Sequence, residues 1–205
     1  MGKSDNTVVR IVDDDGAVRD SIAFLLKSVG IRNECYASAD EFLERNDPAV
    51  PGCIVLDIRM PGMSGLELQE ELNRRKSVAP IIFITGHGDI TMAVQAMQNG
   101  AADFIQKPFR DQSLLDCINS ALQSVSAVQS EIERSKSLMK RYDSLTAREK
   151  EVMELVAVGT ANKVIALDLD VSQRTVEIHR SHVMEKMGAR NLAQLVRMHI
   201  QLQRD

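Results

Sequence analysis

Residues 53–62 read Cys-Ile-Val-Leu-Asp-Ile-Arg-Met-Pro-Gly, and this stretch decides the fold. Residues 53–56 are a continuous apolar run without period-2 alternation, the pattern of a strand buried on both faces. The run ends on an acid, Asp57, and Pro61-Gly62 then turns the chain. Upstream, Val8-Val-Arg-Ile-Val12 is a second strand that ends in Asp13-Asp14-Asp15. Val18, Ile22, Leu25, Leu26 and Val29 follow at helical spacing, and Gly30 closes that helix. Downstream, Pro80 precedes the strand Ile81-Ile-Phe-Ile84, and residues 91–99 read as a helix stopped by Gly100. Asp103-Phe-Ile105 is a short strand ended by Lys107-Pro108, and Leu114, Leu115, Ile118, Leu122 and Val125 mark a last helix. Apolar strands alternating with amphipathic helices predict an α/β domain, a parallel sheet covered on both faces.

The chain has 205 residues, 44% hydrophobic, which suits two small domains. Aromatics are 3% and Trp is absent, so the cores are aliphatic. No apolar run reaches the roughly 20 residues that span a bilayer, and Met1 to Val9 lacks a signal-peptide h-region. These features predict a cytoplasmic protein with no membrane association. Cys35, Cys53 and Cys117 form no Cys-x-x-Cys pair and read as reduced, mostly buried thiols rather than a redox sensor.

The pattern divides the chain into residues 1–122, a linker over 123–142, and residues 143–205. Their net charges are -6, +2 and 0, within a total of -4. The linker lacks turn residues, and its apolar positions 125, 132 and 139 keep a heptad-like register that Gln129 and Lys136 interrupt. It reads as an extended solvated helix or tether, or as a helix that pairs in a dimer.

From Leu145 onward the pattern is helical. Thr146-Ala-Arg-Glu149 is a capping box, and Gly159 ends the first helix. A short helix spans about 162–169, Ser172 caps a third that stops at Gly188, and Asn191 starts a fourth. Short helices joined by a tight turn are a helix-turn-helix signature.

In a doubly wound sheet, function gathers at the carboxyl ends of the strands. Here those ends carry Asp13-Asp14-Asp15, Asp57, Thr85 and Lys107. Crowded carboxylates repel unless a hard cation lies between them, and Mg²⁺ takes oxygen ligands and bridges carboxylate to phosphate. A carboxylate, a divalent cation, a lysine and a hydroxyl are what phosphoryl transfer to an Asp uses. A haloacid-dehalogenase-type phosphatase needs a second Asp at position 59, which is Arg. The phosphate-binding G-x-x-x-x-G-K-[ST] loop is absent, and the ligand spacing of a calcium loop does not follow Asp13.

On the third C-terminal helix, Val176, Val183 and Met187 share one face, and Arg174, Glu177, Ile178 and Ser181 share the other. An outward Ile beside Arg, Glu and Ser suits a major-groove helix: Ile meets a thymine methyl and Glu accepts from cytosine. Arg180, Lys186 and Arg190 flank this face, and residues 173–197 carry a net +3 although the whole segment is neutral. His179 and His182 lie three apart, a spacing that without further ligands favours phosphate contact or packing over metal.

The segments Val12-Asp-Asp-Asp15, Leu56-Asp-Ile-Arg-Met-Pro-Gly-Met-Ser-Gly65, Ile84-Thr-Gly-His-Gly-Asp89 and Lys107-Pro-Phe109 resemble the receiver domain of bacterial two-component systems, in particular the FixJ type. The resemblance covers about residues 6–122 and implies a flavodoxin-like (βα)5 fold. It implies that Asp57 accepts phosphate from a sensor histidine kinase and that Asp13, Asp14, Asp57 and the backbone carbonyl of Arg59 hold Mg²⁺. It further implies that Lys107, next to a cis Lys107-Pro108 bond, pairs with the phosphoryl group, and that Thr85 and Phe104 form the switch. The segments Leu145-Thr-Ala-Arg-Glu149, Gly159-Thr-Ala-Asn-Lys163, Ile165-Ala166 and Thr175-Val-Glu-Ile-His-Arg180 are similar to the LuxR/NarL-type effector domain over about 143–203. That implies an all-α four-helix domain whose third helix reads DNA. Its DNA-contacting candidates are Arg174, Glu177, Ile178, Arg180, Ser181, Lys163 and His179.

Together these readings describe a phosphorylation-activated transcription regulator, not an enzyme beyond its own phosphorylation and dephosphorylation. Its expected partners are a sensor histidine kinase, double-stranded promoter DNA, a second copy on phosphorylation, and RNA polymerase. Two other readings fit less of the chain. A constitutive DNA binder has no need of the complete acid, Thr and Lys set. A phosphatase acting on other substrates leaves residues 143–205 without a purpose.

Overall fold

The computed structural model describes residues 7–86 and 90–203. His87, Gly88 and Asp89 of the Thr-Gly-His-Gly-Asp segment lie outside the described residues. The chain divides into two compact units at Val128/Gln129.

In the first unit, β1 (Val8–Val12), β2 (Asn33–Tyr36), β3 (Gly52–Asp57), β4 (Ile81–Thr85) and β5 (Asp103–Gln106) form one parallel sheet in the order β2-β1-β3-β4-β5. Between them run α1 (Gly16–Ser28), α2 (Ala39–Arg45), α3 (Gly65–Arg74) and α4 (Ile90–Gln98), and α5 (Asp111–Asp143) follows. Every residue of β1, β3 and β4 is buried. The period of two along a strand sends successive side chains to opposite faces. Ile54 and Leu56 accordingly pack with Phe42, Leu68 and Ala96 from α2, α3 and α4. Cys53 and Val55 pack with Ile22, Leu26, Leu114 and Ile118 from α1 and α5. Two cores sharing one sheet make the expected flavodoxin-like layering.

The structure adds β2, α2 and α3 to the elements that periodicity singles out. β2 is an edge strand reading Asn-Glu-Cys-Tyr, with three of its four residues only half-buried. It therefore carries none of the continuous apolar signal of a central strand. Ser64 and Glu67 close a reciprocal capping box that starts α3.

The segment 123–142 is helical, as one of its readings has it, and continues α5. It is not wholly solvated. Leu138 is buried in the core of the second unit and Tyr142 packs against it. Arg141 donates from Nη1 to the carbonyl of Met187 at 3.0 Å. Residues 129–142 thus go with the second unit.

That unit continues with α6 (Ala147–Ala157), α7 (Asn162–Asp168), α8 (Gln173–Met187) and α9 (Leu192–Leu202). Thr146 and Glu149 form the capping box, Ser172 caps α8, and Asn191 caps α9. Gly188 ends α8 in the left-handed conformation, φ 67°, where a Cβ is penalised. The core joins Leu145, Val152, Ile165, Val176, Val183, Met187 and Leu195.

Candidate functional site

β1 and β3 are parallel neighbours, so Asp13 and Asp57 emerge at the same edge of the sheet. Asp13 is 1% exposed and Asp57 7%. Buried like charges repel unless a cation lies between them. Lys107 supplies it: Nζ donates to Asp13 Oδ2 at 2.8 Å and to Asp57 Oδ1 at 2.6 Å. The Lys107 N–H donates to the carbonyl of Thr85 at 2.7 Å, which ties the lysine to the end of β4, and the Lys107-Pro108 peptide is cis.

The other carboxylate oxygens have backbone donors. Asp15 N–H reaches Asp13 Oδ1 at 2.9 Å, and Arg59 N–H reaches Asp57 Oδ2 at 2.7 Å. Burial pushes the Asp57 carboxyl above the usual Asp range, against the pull of the Lys107 hydrogen bond and charge. Burial works against the Lys107 ammonium, but its hydrogen bonds to Asp13 and Asp57 outweigh that and raise its pKa above the lysine value.

Asp14 sits beside Asp13 but is exposed, and among the described residues no three metal-binding side chains are already gathered. Thr85 is buried at the same edge and its hydroxyl donates to the Gly86 carbonyl at 3.3 Å. Phe104 is 46% exposed, so it is not a core aromatic. The three thiols are free, and burial pushes Cys53 up to about 12 and Cys117 up to about 11. Thiols held protonated are poor nucleophiles. Only Cys53 is buried, whereas Cys35 and Cys117 are half-buried, because Cys35 lies on the edge strand β2 and Cys117 on the outer helix α5.

Two contributors to this site escape sequence reasoning. Arg19 donates from Nη1 to the Asp13 carbonyl at 2.6 Å, fixing the loop that carries the acids. Gly65 lies so close to the carbonyl of Asp57 that a Cβ would collide with it. Neither carries a pattern signal beyond an ordinary helix residue and a turn glycine.

The second set of candidates lies on α7 and α8. Val176, Val183 and Met187 are buried, whereas Arg174, Glu177 and Ser181 are exposed and Ile178 is 49% exposed. The two faces of α8 fall as the 100° rotation per residue predicts. Lys163 is exposed on α7. Arg180 and His179 are half-buried. Arg180 donates from Nη1 to Asn162 Oδ1 at 2.7 Å, a bond joining α8 to α7. Lys186 turns away from the outward face and donates to Glu149 Oε2 at 2.7 Å. Glu149 is 3% exposed and also serves the Thr146 cap. The hydrogen bond from Lys186 above all, with those from Thr146, overcomes burial and holds its carboxyl at about 2. The capping box was legible in the sequence; its second role as the anchor for Lys186 was not.

Residues 9–119 match the response regulator receiver domain, and residues 143–199 match the bacterial regulatory proteins of the luxR family. The chain belongs to the response regulators. This response regulator is 49% identical to the transcriptional regulatory protein FixJ of Azorhizobium caulinodans, over 93% of its own length and 90% of the relative's. It is 47% identical to nodulation protein W of Bradyrhizobium diazoefficiens, over 95% and 86%. The solved structure of the response regulator StyR superposes with a TM-score of 0.85 at 43% identity, covering 98% of this chain and 100% of that one. Full-length FixJ from B. japonicum gives 0.60 at 39% identity, covering 97% and 98%.

A response regulator with a luxR-family second domain is a phosphorylation-dependent transcription regulator of a two-component system, not an enzyme in the ordinary sense. Its receiver implies a histidine kinase partner and its second domain implies DNA binding. Receivers as a family bind Mg²⁺ at the phosphorylation site. Among the described residues no helix is long and apolar enough to cross a membrane.

Proposed function

We propose that Asp57 is the phospho-acceptor of this response regulator and that its phosphorylation drives homodimerisation and promoter binding in the cytoplasm. The observation that carries this is the Lys107 ammonium held between the buried carboxylates of Asp13 and Asp57. A carboxylate oxygen of Asp57 attacks the phosphorus of a phosphohistidine on the sensor kinase. The phosphorus–nitrogen bond breaks, and its electron pair stays with the imidazole. Lys107 keeps its salt bridge to Asp13 and pairs with a phosphoryl oxygen.

The donor set suits a hard cation: buried carboxylate oxygens, an adjacent exposed Asp14 free to turn inward, and a backbone carbonyl at Arg59. Asp13, Asp14, Asp57 and the Arg59 carbonyl would hold Mg²⁺. The chemistry supplied by bound Mg²⁺ is neutralisation of charge on the phosphoryl oxygens.

Phosphorylation adds about −1.5 to −2 charges at the site. The Thr85 hydroxyl turns toward the new oxygens, vacating space that the outward ring of Phe104 fills. The surface that pairs two receivers changes with it. Two luxR-family domains then occupy half-sites roughly 34–36 Å apart. Arg174, Glu177, Ile178 and Ser181 face the major groove, Lys163 and His179 meet phosphates, and Arg180 positions α8 through Asn162. RNA polymerase is the partner on which promoter-bound dimers act.

The test is sedimentation and promoter-fragment binding with and without acetyl phosphate and Mg²⁺, beside Asp57→Asn. Acetyl phosphate is expected to strengthen both in wild type only. Equal binding by wild type and variant under every condition would leave the receiver a passive module.

A further inference from the structure

Asp14 is exposed, and among the described residues its carboxylate has no partner. Only the backbone fixes where its side chain can reach. On the side of Asp13 that backbone is tied at several points. The Asp13 N–H donates to the carbonyl of Tyr36 at 3.3 Å, and the Asp15 N–H donates to Asp13 Oδ1 at 2.9 Å. The carbonyl of Asp13 belongs to the peptide that leads into Asp14, and Arg19 donates to it from Nη1 at 2.6 Å.

Arg19 is poorly placed for helix stability and well placed for this bond. It lies in the first turn of α1, the end where the helix dipole disfavours a cation. Among the described residues its guanidinium pairs with no carboxylate. Helical side chains lean toward the N-terminus of their helix, so a long side chain here reaches back over the loop that carries the acids. A guanidinium stays charged at every ordinary pH, and its planar fork loses little freedom on bonding. Asp15 holds the far side of Asp14 as the N-cap of α1.

We propose that Arg19 is a positioning residue for Mg²⁺: by holding the Asp13 carbonyl it keeps Asp14 aimed where it can join Asp13 and Asp57 on the metal. This rests on the proposed set of metal-holding groups and adds the residue that organises it. The sign of the effect separates this role from that of a nearby charge. A cation beside a metal site repels the metal, so removing it would by itself tighten binding. Removing the bond instead loosens the loop, and ordering one loop residue costs about as much as a tenfold change in binding constant.

The experiment titrates the full chain with Mg²⁺ at constant ionic strength and follows amide chemical shifts by NMR, a readout that needs no phosphorylation. Arg19→Met keeps a long stem without charge or donor and should weaken Mg²⁺ binding by about tenfold. Arg19→Lys keeps the charge but not the fork and should weaken it by about threefold. Thermal melting without Mg²⁺ shows whether each variant is folded, and if Arg19→Met is not, Arg19→Lys decides. Unchanged or tighter binding in the deciding variant overturns the inference. Asp14→Asn tests the reading beneath it. Failure of wild type to bind Mg²⁺, or wild-type affinity in Asp14→Asn, overturns the metal assignment instead.

Discussion

The Nζ atom of Lys107 lies 2.6 Å from Oδ1 of Asp57, although fifty residues separate them in the chain. The bond holds the receiver's buried acids together before any phosphate arrives. In the proposed phosphorylation of Asp57 it also places the cation where phosphoryl charge would appear. Electrostatic groups positioned in advance contribute most where water is excluded.

Lys107→Ala should therefore slow phosphorylation of Asp57 by about a hundredfold. Phosphate-affinity gel electrophoresis after acetyl phosphate treatment measures it. An unchanged labelling rate would show that Lys107 acts only in the unphosphorylated site.

Thr85→Ala should leave labelling of Asp57 largely intact but cut the response. The gain in promoter binding on phosphorylation should fall by about tenfold, a coupling of ordinary allosteric size. Titration of a promoter fragment with labelled and unlabelled protein separates the two effects. Loss of labelling itself would place Thr85 in the chemistry rather than the switch.

On α8, Ile178→Ala should weaken specific DNA binding by about 1 kcal/mol and relax the preference for one base pair. Lys163→Ala should weaken binding to all sequences alike and reduce the steepness of the salt dependence by about one unit. Binding measured across a salt series on specific and scrambled fragments tells them apart.

Glu149 makes the stability of the second unit depend on acid. Its carboxyl is held at about 2 when folded, below the ordinary 4.5. The folded state therefore binds the proton later than the unfolded state. The stabilisation is complete above pH 4.5 and is lost as pH falls toward about 2. Glu149→Gln should lower the melting temperature of this unit at pH 7, at a cost of about 2 kcal/mol. The gap from wild type should close as pH falls through about 2, below which both side chains are neutral. A gap independent of pH would mean that Glu149 acts through shape alone.

Gly65→Ala should destabilise the receiver by about 1–3 kcal/mol. The added Cβ meets the carbonyl of Asp57, which is backbone and cannot step aside. Chemical denaturation followed by circular dichroism gives the cost. Slower labelling of Asp57 in the variant's folded fraction would report the accompanying shift of the acceptor.

Much of this protein was decided by local chemistry and therefore legible in one dimension. Val8–Val12, Gly52–Asp57 and Ile81–Thr85 declare themselves as central strands because burial on both faces demands uninterrupted apolar residues. Thr146, Ser172 and Asn191 mark helix starts because their side chains satisfy orphan N–H groups next door. The division of α8 into Val176, Val183 and Met187 inside and Arg174, Glu177, Ile178 and Ser181 outside follows from rotation about one helix. Asp57, Lys107, Thr85 and Asp13 were candidates because each ends a strand. What only the tertiary structure decided is which of them touch, since contacts between distant strands depend on sheet order and register. It put Lys107 between Asp13 and Asp57, left Asp14 exposed, and turned Phe104 outward. It drew Lys186 away from the outward face of α8 to Glu149. The edge strand Asn33–Tyr36 also waited on the fold, because a half-buried strand takes its shape from its neighbour rather than from its own side chains.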